Sequence, residues 1–176
     1  MTKENHITYA YIDGANLEKG LDRLGWKLDY KKFRIWLSDK YSVEKAYLFL
    51  GIIPNNADLY TDMQKIGFTI IFKEVTRSQF GTIKGNCDTD LVLMATCDSY
   101  ESRYSKAIVV SSDGDYACLI KFLKSKEMFR VLISPDNTCS FLLRKINIPI
   151  VHINSQRNHL ELAPIKEKAL DGDKTP

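Results

Sequence analysis

The sequence predicts an α/β fold, with a mainly parallel central sheet of about five or six strands and helices on both faces. Two observations carry this. Short runs rich in β-branched and aromatic residues alternate with stretches whose apolar residues recur every three or four positions. The alternation continues along most of the 176 residues, with Asp13-Gly14, Asp29, Pro54 and Gly67 punctuating the joins. Strands separated by helices pair in parallel, and the helices cover the sheet.

Residues 7–12 (ITYAYI) read as the first strand, closed by Asp13-Gly14. Leu17, Leu21 and Leu24 lie at helical spacing, so a short helix is expected over 16–24 despite Gly20. Asp29 has the chemistry of an N-cap, and Tyr30, Phe33 and Leu37 form the inner stripe of a helix over 30–40. The second strand is expected over 46–53. Pro54 then opens a helix with Leu59, Met63 and Ile66 on its apolar side and Gly67 as its C-terminal cap. A third strand is expected over 68–75.

Residues 76–85 are polar, with Gly81, Gly85, Arg77 and Lys84, and read as a loop or small hairpin. A helix over 86–103 carries Leu91, Val92 and Ala95. The fourth strand spans 106–110 and ends at Ser111-Ser112. The helix expected over 115–126 turns Tyr116, Leu119, Ile120 and Leu123 inward. A strand over 129–134, a short helix over 139–146 and a sixth short strand over 148–153 complete the pattern. Beyond Pro164 no apolar stripe survives, so 1–162 is expected to form one domain and 163–176 a flexible tail.

Composition narrows the class. The chain is 44% hydrophobic and 27% charged, an ordinary globular balance that excludes a wholly disordered or fibrous chain. Its apolar runs fall far below the ~20 residues of a membrane span. No charged segment followed by an apolar stretch opens the sequence, so a cytoplasmic protein with no membrane partner is expected. The four cysteines (87, 97, 118, 139) form no C-x-x-C pair and stand at no ligand spacing from the three histidines (6, 152, 159). Zinc is therefore disfavoured, and reduced, mostly packed thiols are expected. A net charge of +3 permits a nucleic-acid partner without requiring one.

Ligands of open α/β sheets bind beyond the carboxyl ends of the strands. Three segments bring acidic residues to such ends: Asp13 with Asn16 after strand one, Asp88 and Asp90 at the start of the helix after the basic loop, and Asp113 and Asp115 behind Ser111-Ser112. Each has an ordinary structural explanation as a cap, a first-turn acid or a turn residue. Together they exceed what capping needs. Asn16 could cap its helix alone and leave Asp13 spare, and the exit of strand four holds two serines and two aspartates. Crowded carboxylates repel unless a cation neutralises them. All-oxygen ligands select a hard ion, Mg2+ or Mn2+. Such a site suits phosphoester chemistry. The loop from Arg77 to Lys84, with Phe80 between, could hold a polynucleotide backbone and stack a base; its ordinary reading is a solvated hairpin tip.

Taken together, these residues resemble the NYN family of PIN-like ribonuclease domains. The matching segments are D-x-x-N (Asp13-Gly14-Ala15-Asn16), K-G-N-x-D (Lys84-Gly85-Asn86-Cys87-Asp88) and S-x-D-x-D (Ser111-Ser112-Asp113-Gly114-Asp115), with Tyr116 following. Order and spacing agree over about residues 6–154, and the chain is most similar to the bacterial stand-alone form. The resemblance implies a PIN-like Rossmannoid three-layer sandwich and metal-dependent cleavage of RNA. It implies that Asp13, Asp88 and Asp113 are the main metal-facing carboxylates and that Asp115 assists. Asn16 would orient Asp13 or touch the scissile phosphate, and Ser111 and Ser112 would contact a carboxylate or phosphate. Apart from the resemblance, the charge of the basic loop makes Arg77 and Lys84 the expected substrate-binding residues.

Other chemistries fit less well. Gly14 to Gly20 is not G-x-G-x-x-G, and no Walker lysine motif occurs. An aspartyl-nucleophile phosphatase would want a second aspartate at the position of Ala15, and a receiver domain would not carry the S-x-D-x-D exit. The serious rival is a non-catalytic RNA-binding or regulatory module on the same fold. A homodimer, or a protein partner that supplies specificity, is left open.

Overall fold

A computed structural model describes residues 7–51, 57–73 and 88–163, together with the backbone of 76–77 and 83–84. Six strands form a parallel sheet: β1 (Thr8–Asp13), β2 (Val43–Gly51), β3 (Phe68–Lys73), β6 (Lys106–Val110), β7 (Phe129–Ser134) and β8 (Ile150–His152). Two short antiparallel strands, β4 (Thr76–Arg77) and β5 (Ile83–Lys84), form a separate hairpin. The helices are α1 (Gly14–Leu24), α2 (Tyr30–Tyr41), α3 (Ala57–Ile66), α4 (Asp88–Tyr100), α5 (Ala117–Ser125), α6 (Phe141–Arg144) and α7 (Arg157–Leu160).

The sheet runs β3-β2-β1-β6-β7-β8. The chain builds outward from β1 to β3, then returns to the other side of β1 and builds outward again. Strand order therefore reverses between β1 and β6, whose register pairs Ile12 with Val110. In doubly wound sheets the crevice at that reversal is the binding position.

Every residue of β1 is buried, as expected of a central parallel strand with helices on both faces. Side chains alternate across the sheet. Ala10 and Ile12 join a core with Leu17 and Leu21 of α1, Phe33 and Leu37 of α2, Met63 of α3 and Leu160 of α7. Tyr9 and Tyr11 join the opposite core with Leu91 and Ala95 of α4, Leu119, Ile120 and Leu123 of α5, and Leu143 of α6. These are the three layers of the expected sandwich.

Several boundaries differ from the sequence reading, each for a local reason. Helix α1 begins at Gly14, because Asp13 rather than Asn16 caps it. Gly20 is tolerated inside α1 because the helix crosses close to the chain after β7: a Cβ there would lie 2.5 Å from Pro135 Cβ. Strand β2 starts at Val43; the exposed Glu44 and Lys45 hide its apolar pattern. The helix expected from Asp115 is a 3₁₀ turn, Gly114–Tyr116, that passes into α5. Helix α6 has four residues, and the positive φ of Asn147 (55°) follows it. The thiols are less packed than expected: Cys139 is buried, whereas Cys97 and Cys118 are exposed.

One docked element was not foreseen. A 3₁₀ turn (Ile153–Gln156) and α7 return the chain to the loop between α1 and α2. Trp26 Nε1 donates to Asn154 Oδ1 (3.1 Å), Asp29 N to Leu160 O (2.8 Å) and Leu162 N to Lys27 O (2.8 Å). Expectations for Pro54, Phe80, Gly81, Gly85, Asn86, Cys87, strand residues 52–53 and 74–75, and the tail from 164 onward lie outside the described residues. No helix among the described residues is long and apolar enough to cross a membrane.

Candidate active site

The site forms where β1 and β6 leave the sheet. Asp13, the last residue of β1, is 6% exposed. Its Oδ1 accepts the backbone N–H of Asn16 (3.0 Å) and so caps α1. Asp13 is therefore not spare, as the sequence reading expects; it uses one oxygen for the fold. Its Oδ2 faces the Tyr116 hydroxyl at 3.1 Å.

Asn16 joins the two strand exits. Its Oδ1 accepts both the backbone N–H (2.8 Å) and the hydroxyl (3.0 Å) of Ser112. Ser111 is fully buried, and its Oγ accepts the N–H of Asp113 (3.1 Å). Asp113 Oδ1 in turn accepts the N–H of Asp115 (3.1 Å) and caps the 3₁₀ turn. This chain of bonds fixes the Ser111–Asp115 segment against the end of β1. In it both serines hold the loop that carries the acids.

Tyr116 is the residue whose role the sequence reading missed. Helical spacing puts it on the inner face of a helix, and the resemblance notes it after the acidic pair, with no role given by either. In the structure it is fully buried, and its hydroxyl lies 2.5 Å from Asp88 Oδ1 as well as near Asp13. A phenol has one proton, so it can donate to only one of two carboxylates. Burial, then the charges of Asp13 and Asp88, push the Tyr116 hydroxyl far up, so it stays protonated. Burial also raises the Asp13 carboxyl, with the charges of Asp88 and Asp113 adding to it; the bonds from Asn16 and Tyr116 act in the opposite direction. The available signal in the sequence was a hydroxyl-bearing aromatic directly after the acidic pair.

Asp88, Asp113 and Asp115 come from two separate segments, yet each offers an oxygen within 4.8 Å of the others. Oxygen ligands sit about 2.0–2.1 Å from Mg2+, so ligands across such an ion are about 4 Å apart. The trio approaches that spacing, and its donors are all oxygen. Together with the shared Tyr116 proton, this donor set fits a hard divalent cation. Asp13 stands behind the trio, linked through Tyr116 to Asp88. Asp90 turns elsewhere and pairs with Lys73 Nζ at 3.3 Å. Beside the acids a groove of about 530 Å³ runs between α4 and α5, lined by Asp88, Thr89, Val92, Thr96, Asp115 and Cys118, among others. Arg77 and Lys84 belong to the β4–β5 hairpin, but their side chains lie outside the described residues.

Comparison with known proteins agrees with this fold. Residues 8–150 match the family model described as the NYN domain. The chain is 23% identical over 163 residues to the low amplitude and bright protein LabA of Synechococcus elongatus, covering 86% of each chain. It also superposes on the crystal structure of a protein of unknown function from Vibrio parahaemolyticus. There the TM-score is 0.73 at 20% identity, over 92% of this chain and 100% of the other, a likeness of fold.

Proposed function

The chain belongs to the NYN domain family of PIN-like nucleases, and from that premise we propose that it is a Mg2+- or Mn2+-dependent ribonuclease that cleaves RNA internally. The observation that carries this reading is the convergence of Asp88, Asp113 and Asp115 within 4.8 Å at the reversal point of the sheet. Their position beside an open surface groove suits an internal stretch of chain better than a closed pocket would.

In this reading Asp88, Asp113 and Asp115 hold the cation, and Asp13 supports them through Tyr116. When bound, such an ion lowers the pKa of water and offsets charge on the phosphate. The chain's own residues set the stage. Asn16 locks the β6 exit to α1, so the acids on the two segments keep their spacing. Tyr116, held protonated, fixes the orientation of Asp13 and Asp88. Ser111 holds the backbone of Asp113 in place through its N–H. Arg77 and Lys84 bind the phosphate backbone. Hydrolysis joins water oxygen to phosphorus, breaks the bond to the leaving ribose oxygen and passes the proton to that oxygen. The setting expected from the sequence is the cytoplasm.

The rival, a non-catalytic RNA-binding or regulatory module, draws on one observation: Asp13 and Asp113 are both caps, so the fold uses them without any reaction. Labelled single-stranded and structured RNA incubated with Mn2+, Mg2+ or chelator separates the two. Cleavage should require metal and fall by orders of magnitude in Asp113→Asn, while RNA binding persists. Metal-independent cleavage that survives in Asp13→Asn and Asp113→Asn alike would place the activity elsewhere.

A further inference from the structure

Helix α6 is one turn long and presents more than it buries. Leu143 is its buried anchor, whereas Phe141 and Leu142 are 65% and 55% exposed. Arg144 and Lys145 are exposed beside them, and Lys145 Nζ lies 5.9 Å from the centre of the Phe141 ring. The turn is fastened to the acidic loop. Ser140 N donates to Ser112 O (3.1 Å). A Cβ on Gly114, the residue between Asp113 and Asp115, would meet Ser140 Oγ at 2.5 Å and Leu142 Cδ1 at 3.2 Å. An exposed aromatic ring and two cations thus stand on a turn whose Ser140 and Leu142 are fastened to the loop that carries the acids.

We propose that α6 is a stacking platform for single-stranded RNA: the Phe141 ring receives a base, and Arg144 and Lys145 contact the adjoining phosphates. The inference rests on the ribonuclease reading and deepens it. The acidic trio repels a polynucleotide, so cations on neighbouring elements must hold the backbone in place. The ammonium near the ring links the two functions, since cations and bases are both held by aromatic faces. Every base has a π-face, so this contact tolerates sequence. The platform therefore sets where a strand lies and leaves sequence preference to other contacts.

The test is the affinity of the full chain for a short fluorescent single-stranded RNA, measured by anisotropy in chelator so that binding is read without cleavage. Phe141 is exposed, so its replacement leaves the core intact. Phe141→Ala should weaken binding about 5- to 150-fold, and Phe141→Trp should match or exceed the parent. Lys145→Ala should weaken binding and make its salt slope shallower by about 0.7, the loss of one phosphate contact. Equal affinity for Phe141→Ala and the parent overturns the proposal. So does a Phe141→Ala protein whose mass by light scattering drops from dimer to monomer with RNA affinity unchanged, because the patch then serves self-association. A parent that binds RNA in a Phe141-dependent way but cleaves none with Mn2+ supports the platform and overturns the ribonuclease reading. A parent that binds no RNA overturns the platform, and one that also cleaves none with Mn2+ overturns both.

Discussion

Removing one oxygen atom tests how the acidic site is held together. Tyr116 is fully buried, so Tyr116→Phe keeps the ring and its packing and deletes only the hydroxyl that lies between Asp13 and Asp88. The hydroxyl has one proton, so one hydrogen bond to a charged partner is lost, about 1.5–3 kcal/mol. For a domain of this size each kcal/mol moves the melting temperature about 2–4 °C, so a drop of about 3–12 °C is expected in chelator. The carboxylates left behind have lost their donor and gain more from a counter-ion. The drop should therefore shrink in saturating Mn2+. Thermal unfolding of parent and variant at pH 7, with chelator and with Mn2+, reads both numbers. An equal drop in the two buffers, or none in either, would refute the idea that the hydroxyl and a cation neutralise the same carboxylates.

Other outcomes follow from the same geometry. Asp13 has its carboxyl raised in the folded state, chiefly by burial, so its contribution to stability is present in acid and lost as pH rises through that raised value. Asn caps a helix as well as Asp does. In chelator Asp13→Asn should therefore melt above the parent at neutral pH, with the advantage vanishing towards acid; in Mn2+ the parent should gain more than the variant, and an advantage independent of pH would contradict the assignment. Leu162 N–H is bonded to Lys27 O, so a chain ending at residue 163 should unfold within about 2 °C of the full chain, consistent with surface changes being worth at most ~0.5 kcal/mol; a large loss by calorimetry would show that the tail docks. Replacing Arg77 and Lys84 together by alanine should weaken RNA binding and flatten its salt dependence by about 1.4, for two phosphates; an unchanged slope would place the strand elsewhere.

The sequence by itself determined the fold class and pointed to the acidic residues of the candidate site. The alternation of periods fixed which segments are strands and which are helices, because burial on two faces or one is a local property of the pattern. The strands over 106–110 and 129–134 have their observed bounds for this reason. Asp88, Asp113 and Asp115 were legible because acids at successive strand or helix ends stand out against what capping needs. Strand order was not legible. No local pattern says that β6 returns beside β1, yet that return sets Asp113 and Asp115 beside Asp88 and Asp13. The docked turn over 153–160 was missed because its anchors, Trp26 with Asn154 and Lys27 with Leu162, are far apart in the chain. Tyr116 makes the same point: its bonds span 103 and 28 residues. Periodicity reports that a side chain faces inward; only the packed structure decides that its polar end arrives between two carboxylates, one of them buried, where a hydroxyl proton is worth most.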